Sequence, residues 1–223
     1  LYGGTYLRTE SGALQLNANG FPQVSSQFGV SGDPNPDYRG GFGTNLSYKK
    51  LSLNILFETF QGGDVYNGTR GVLYNFGTHA DVGNEVTLTQ DLKNYAGTII
   101  PAGSTVRGNI KDFGAGPVLL DEKYYTSIGG GFSTLVEQFI TDASWTRLRE
   151  VSVGYSISSP NFRQKTKLQS IDLTVTGRNP ILWTKMVGVD PETALNGASN
   201  SRGQDYFNSP NTKSLLFSVK IKY

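Results

Sequence analysis

The sequence predicts an all-β chain, part of an antiparallel transmembrane β-barrel with long external loops, and three observations predict it. Stretches near 38–48, 51–62, 145–158, 168–179 and 214–223 alternate apolar with polar residues, the period of a strand. The connections between them alternate in length: short at Lys49 and Lys50 and over 159–167, long over 63–143 and 180–211. Twenty-eight glycines and 12% aromatic residues suit turns and strands better than helices.

The pair 38–48 and 51–62 organises the rest. A two-residue turn at Lys49 and Lys50 sets Tyr48 opposite Leu51, Leu46 opposite Leu53, Thr44 opposite Ile55 and Phe42 opposite Phe57. Both strands then show their apolar sets on one face, and a slip of one residue would send every one of them to the polar side. The turn lacks the Asn-Gly or Asp-Gly pair that best fits a tight hairpin. In 145–158, Val151, Val153, Tyr155 and Ile157 oppose Glu150, Ser152, Gly154 and Ser156; in 168–179, Ile171, Leu173 and Val175 oppose Asp172, Thr174, Thr176 and Arg178. The last stretch sets Leu215, Phe217, Val219, Ile221 and Tyr223 against Leu216, Ser218, Lys220 and Lys222. Of the long intervals, 63–143 is expected to fold locally, with a helical turn or two after Gly62, a small β excursion over 86–103 and a short helix around 134–140, because structureless loops of that length are uncommon.

Composition excludes several classes. A net charge of +2 with scattered basic residues gives no nucleic-acid footprint, and the absence of cysteine removes disulfides and thiolate metal sites. Mean hydropathy is −0.32 and no apolar run approaches the length of a membrane helix. Barrels escape that test because only alternate residues meet lipid. No signal peptide is visible at Leu1, so the chain reads as a mature product or one whose beginning is missing.

In an up-and-down sheet, alternating connection lengths put all short turns at one end and all long loops at the other, as in outer-membrane barrels. Tyr48, Tyr155 and Tyr223 fall on the apolar face near the short-turn end, where an interfacial girdle sits, and Tyr38, Trp145 and Trp183 fall near the other end. A soluble sandwich explains the alternation equally well but not this sorting. About five strands are fewer than the eight or so a closed barrel needs, and an open sheet leaves unpaired edges in hydrocarbon. The expectation is therefore a portion of a barrel, with the missing strands before Leu1 and the last strand pairing with the barrel's absent first one.

In order along the chain, GDPNPDYRGGFGTNLSYKKLSLNILFETFQGGDVYN, SWTRLREVSVGYSIS, TVTGRNPILWTK, VGVDPET and FSVKIKY resemble the carboxy-terminal strands of the SusC/RagA family of TonB-dependent outer-membrane transporters. That resemblance implies a barrel of about 22 strands plugged by an amino-terminal domain. It also implies a SusD-like surface lipoprotein as lid, TonB as energy source, glycans or peptides as cargo, and the outer membrane of a Bacteroidetes-like Gram-negative bacterium as location. The plug and TonB box are absent from this sequence. Phe217, Val219, Ile221 and Tyr223 are similar to the terminal signal read by the barrel assembly machinery, for which strand addition gives a physical basis; Tyr223 as a plain interface anchor is equally compatible.

Candidate residues follow from these faces. Arg39, Asn45, Asn54, Glu58, Glu150, Asp172, Thr174, Arg178, Lys220 and Lys222 are expected in the lumen, as plug contacts or substrate contacts. Trp183, Tyr206 and Phe207 are external aromatics suited to stacking on sugars or docking a lid. Asp190 and Glu192, with Asp205 as a third, are candidate oxygen ligands for an external Ca²⁺, although they lack the twelve-residue loop pattern. His79 is the one histidine, so neither a catalytic triad nor a histidine metal site assembles; it reads as a loop residue. Asn67 to Thr69 matches a glycosylation triplet, without weight in a bacterial protein, and Ile128 to Gly131 lacks the context of a phosphate cradle. The chain is expected to do no covalent chemistry. Rival readings are a soluble β-sandwich lectin or adhesin, and a barrel fragment held as client of an assembly or secretion machine.

Overall fold

Five long strands make one antiparallel sheet in the computed structural model, which describes residues 1–129, 135–197 and 201–223. In chain order they are β1 (Tyr38–Tyr48), β2 (Leu51–Gln61), β3 (Trp145–Ile157), β4 (Ser170–Thr184) and β5 (Ser214–Lys222). Their order in the sheet is β5-β4-β3-β2-β1. They belong to one of two compact units, formed by Asn35–Gly63, Asp142–Thr193 and Ser209–Tyr223.

The first hairpin pairs Tyr48 with Leu51, Leu46 with Leu53, Thr44 with Ile55 and Phe42 with Phe57. Lys49 closes the turn with a positive φ of 55°, a conformation that costs a non-glycine residue something and that the sheet's pairing holds in place. In the second connection, the short helix Pro160–Thr166 is capped by the Ser159 hydroxyl, which accepts from the Phe162 N–H at 3.0 Å. It ends at Lys167 in the left-handed region, φ 61°.

Two irregularities break the period-two pattern. Register shifts between Leu148 and Glu150 relative to both neighbours of β3, so Arg149 is an extra residue and parity reverses across it. A second shift follows at Asn179, whose φ is 49°, next to Pro180. The sequence expectation ended this strand at 179, yet β4 runs on to Thr184. Pro180 lies beyond Arg178, the last residue of β4 paired with β5, so the N–H it lacks has no partner to lose on that side.

With both shifts counted, one face of the sheet carries Phe42, Leu46, Ile55, Phe57, Val151, Val153, Leu173, Val175, Phe217 and Val219 in register. The other carries all nine charged or amide residues expected in the lumen, from Arg39 and Asn45 to Lys220 and Lys222, together with Thr174.

The second unit comprises Leu1–Pro34, Asp64–Thr141 and Ala194–Asn208, so most of the interval expected as loop has a core of its own. Helices Gly68–Asn75 and Glu122–Ile128 are capped by Asn67 and Asp121, whose side chains accept from the N–H groups of Arg70 and Tyr124 at 2.9 and 3.0 Å. Asn67 of the glycosylation triplet is thus a buried cap. Between the helices lie short strands, among them Glu85–Thr87 paired with Thr105–Arg107 and Leu92–Lys93 paired with Ile99–Ile100. Phe21, Tyr74, Tyr124, Tyr125 and Phe139 form the centre of the core; burial pushes the Tyr124 hydroxyl up to about 12. The strand Tyr2–Tyr6 joins it from far along the chain, Tyr6 donating its hydroxyl to Gln138 at 2.6 Å. The helix expected around 134–140 is a single 3₁₀ turn, Glu137–Phe139; Thr134, and Gly130 and Gly131 of the glycine stretch, lie outside the described residues.

Candidate functional site

At the long-loop end of the five-stranded sheet, the extra residue in β3 gathers two arginines over the polar face. Arg147 and Arg149 share odd parity with Val151 and Val153, and an unbroken strand would aim both at the apolar side. The bulge turns Arg147 to the polar face opposite Glu58 and leaves Arg149 projecting beside it, where its Nε meets Glu58 Oε2 at 2.6 Å.

The DPET segment after β4 supplies the counter-charges. Arg147 Nη2 donates to both oxygens of Asp190 at 2.8 and 2.9 Å. Its Nε lies 2.6 Å from Glu192 Oε2, an ion-pairing distance out of line for a hydrogen bond. Arg149 holds the same Glu192 through Nη1 at 2.9 Å and through Nη2. The side chains of Arg147 and Asp190 are 3% and 5% exposed, so this is a buried network in which each charge needs its partner. Burial alone would push the Asp190 carboxyl up. The N–H groups of Glu192 and Asn211 and the Arg147 guanidinium more than offset it, and the group sits below the usual carboxylate range.

The network closes a neck. The Asn211 N–H donates to Asp190 Oδ2 at 3.0 Å and its side-chain amide to Glu192 Oε2 at 3.2 Å. The Asn179 side chain donates to Thr212 O at 3.1 Å. The two ends of the 193–211 excursion are therefore pinned together on the polar face of the sheet, immediately before β5 begins. Trp145 is buried under the same cluster, stacked on Phe60 at 6.2 Å with the Arg149 guanidinium 5.1 Å from its ring centre.

These contacts revise the expected cation site. Asp190 and Glu192 are committed to guanidinium groups, which supply the positive charge that a Ca²⁺ ion would otherwise bring. Asp205 belongs to the other unit. Among the described residues no cluster of three or more metal-ligating side chains stands together.

The rest of the polar face pairs largely with itself. Glu150 accepts from Asn54 Nδ2 at 3.1 Å and lies 3.6 Å from Arg178 Nε. Asp172 accepts from Ser156 at 2.6 Å and from Lys222 at 3.2 Å.

Trp183 is not in an external loop. It stands on β4 opposite Thr146, on the apolar face, its ring stacked on Phe57 at 6.3 Å, because the shift at Asn179 carries the strand past it. Tyr206 and Phe207 pack edge to face at 5.2 Å at the surface of the other unit, where the Phe207 N–H donates to Thr69 Oγ1 at 2.7 Å. His79 caps the short helix Ala80–Gly83, its Nδ1 accepting from the Asp81 N–H at 3.1 Å. Sequence reasoning missed Arg147 and Arg149. The signal was there, since two arginines on the apolar parity of a strand call for a bulge.

Comparison with known proteins places this geometry. The chain is 28% identical over 199 residues to TonB-dependent receptor P3 of Formosa agariphila, covering 87% of this chain and 17% of that receptor. It is 25% identical over 224 residues to TonB-dependent receptor P26 of the same organism, covering 95% of this chain and 20% of the relative. The chain thus spans about a fifth or less of the length of the curated relatives it matches. No family model matches it. Among solved structures, the RagAB peptide importer in its closed-closed state aligns over 100% of this chain and 23% of its own, with a TM-score of 0.58 and 17% identity. A second structure, of the RagAB peptide transporter, gives 0.58 and 18%. The resemblance to TonB-dependent transporters seen in the sequence motifs holds, and the fold is that of a stretch of their barrel wall with its long loops.

Proposed function

We propose that this chain, similar in sequence to TonB-dependent receptors and in fold to part of the RagAB importer, is the carboxy-terminal stretch of an outer-membrane transporter that imports glycans or peptides. A SusD-like lipoprotein caps it, and TonB drives it through parts of the protein outside this chain. Its own residues perform no covalent chemistry: they form wall, lumen lining and loop anchors. The barrel assembly machinery reads the β5 side chains Phe217, Val219 and Ile221.

The observation that carries the proposal is the apolar face of the sheet. Phe42 is 66% exposed, Leu46 56%, Val153 50%, Phe217 74% and Val219 63%, in one contiguous register across all five strands. Water-soluble monomers rarely leave such a patch open, whereas a barrel wall meets acyl chains there. Helices do not enter the argument, since none among the described residues is long and apolar enough to cross a membrane.

The test is carried out on the whole protein in its own host. The reading expects it in the outer-membrane fraction, extracted only by detergent, and expects deletion of either its gene or TonB to abolish growth on the same peptide or polysaccharide nutrient. Recovery in the aqueous fraction would return the protein to the lectin-like alternative.

A further inference from the structure

The near-neutral charge of the chain conceals a strong asymmetry within the five-stranded unit. At its short-turn end stand Lys49 and Lys50 in the hairpin turn, Arg163, Lys165 and Lys167 in the second connection, and Lys220 and Lys222 at the end of β5; Asp172 is the one acid there. At the long-loop end Arg39, Arg147, Arg149, Arg178, Lys185 and Lys213 are matched in number by Asp37, Glu58, Asp142, Glu150, Asp190 and Glu192. All the excess positive charge of the unit therefore sits on one rim. Lys222 alone of these cations has a carboxylate within ion-pairing distance among the described residues, 3.2 Å from Asp172. Lys49, Lys50, Arg163, Lys165 and Lys167 are all exposed.

The same rim borders the apolar face. Tyr48 and Tyr155 lie at this end of that face, 69% and 46% exposed, and Tyr223 follows directly on β5, 92% exposed; Lys49 Nζ sits 5.2 Å from the Tyr48 ring centre. Arg163 and Lys167, with Ser158, Ser159 and Gln169, line an open cleft of about 900 Å³. A row of unpaired cations directly below an aromatic girdle is where headgroup phosphates lie when acyl chains cover the apolar residues above.

We propose that this rim binds anionic phospholipid headgroups, with the turn cations Lys49, Lys50, Arg163, Lys165 and Lys167 holding the phosphates. The proposal rests on the outer-membrane reading above. An acidic soluble protein offers the same charge but no reason for the cations to continue the apolar face and its tyrosines, so lipid is the occupant the surface fits.

The experiment uses the full-length transporter, purified in detergent and mixed with phosphatidylglycerol or phosphatidylcholine, with retained lipid counted by native mass spectrometry. Phosphatidylglycerol should be retained at least ten-fold more strongly than phosphatidylcholine. That preference should fall steeply as NaCl rises from tens to hundreds of millimolar. Each single replacement in the series K49Q, K50Q, R163Q, K165Q and K167Q should lower that preference by up to about five-fold, and the five together should bring it to parity. Equal retention of the two lipids by the unaltered protein, or a preference that the series and salt leave untouched, overturns the proposal; the wild-type salt titration decides it even where a variant fails to fold. Membrane fractionation of the same strain separates the two claims: a protein absent from the outer membrane sinks the transporter reading, and one present there without lipid preference sinks only this inference.

Discussion

Replacing Arg147 by Ala removes the centre of the neck that closes the 193–211 excursion. The side chain is 3% exposed and holds both oxygens of Asp190, with Glu192 at 2.6 Å. Its loss leaves buried carboxylates facing one another with only Arg149 between them. Taking away one partner of a buried ion pair costs about 3–5 kcal/mol. If that cost falls on the excursion alone, its open population rises by roughly a hundred- to several-thousand-fold. The assay is limited proteolysis and amide exchange of the full-length protein in outer-membrane vesicles. Cleavage within 193–211 should accelerate by at least that lower factor while exchange in β2 and β3 stays slow. High salt should not mimic the variant, because the pair is buried. Replacing Arg147 and Asp190 together by Met and Leu should restore much of the protection. A cleavage rate in Arg147→Ala within about three-fold of the wild type would refute the reasoning, because it would show the charges idle.

Further predictions concern single groups. Burial pushes the Asp205 carboxyl up, by more than the neighbouring Thr69 hydroxyl and the N–H groups of Thr69 and Asn208 pull it down. The stability this group contributes is therefore complete below its ordinary value of 3.8 and is lost as pH rises through the higher folded value. Asp205→Asn should raise the melting temperature at pH 7 and make no difference at pH 3.5; thermal melts at the two pH values check this. His79 is shifted down, chiefly by burial and by Arg70 against the pull of Asp81. The stability it lends its helix should be present above 6.5 and disappear as pH falls through its lower folded value, seen as faster exchange of the Asp81 amide; His79→Asn, which keeps an acceptor, should abolish that pH dependence. Val153→Lys on the apolar face should cost about 2–4 kcal/mol, read as a lower midpoint of urea unfolding in lipid vesicles. Thr174→Lys on the polar face should cost less than about 1 kcal/mol in the same measurement.

What the sequence revealed and what it hid follow from the range of the interactions. The β1–β2 register was legible because both strands alternate strictly and the two-residue turn leaves one pairing that puts Phe42, Leu46, Ile55 and Phe57 on a single face. The bulge at Arg149 is signalled only by two arginines on the apolar parity, and the shift at Asn179 escapes the pattern, since a bulge changes parity without changing composition. A strand whose strict alternation stops at 179 leaves Trp183 in a loop, whereas β4 passes Pro180 and runs on to Thr184. The neck was hidden for a related reason: Asp190 and Glu192 find Arg147 and Arg149 some forty residues away, across a face that the unbroken pattern assigned to the opposite side. The short strands and helices of 63–143 are completed by partners outside the interval, such as Tyr6 bonded to Gln138 more than a hundred residues away, which local periodicity does not show.

The central claim, that acyl chains meet the apolar face, is tested most directly by depth-resolved quenching. A fluorophore on a cysteine placed at Val153, in an otherwise cysteine-free full-length transporter in vesicles, should be quenched strongly by lipids brominated near the chain ends. The same label at Thr174 should be left bright. Equal quenching at both positions, or quenching of the Val153 label by aqueous iodide and not by lipid, would contradict the account.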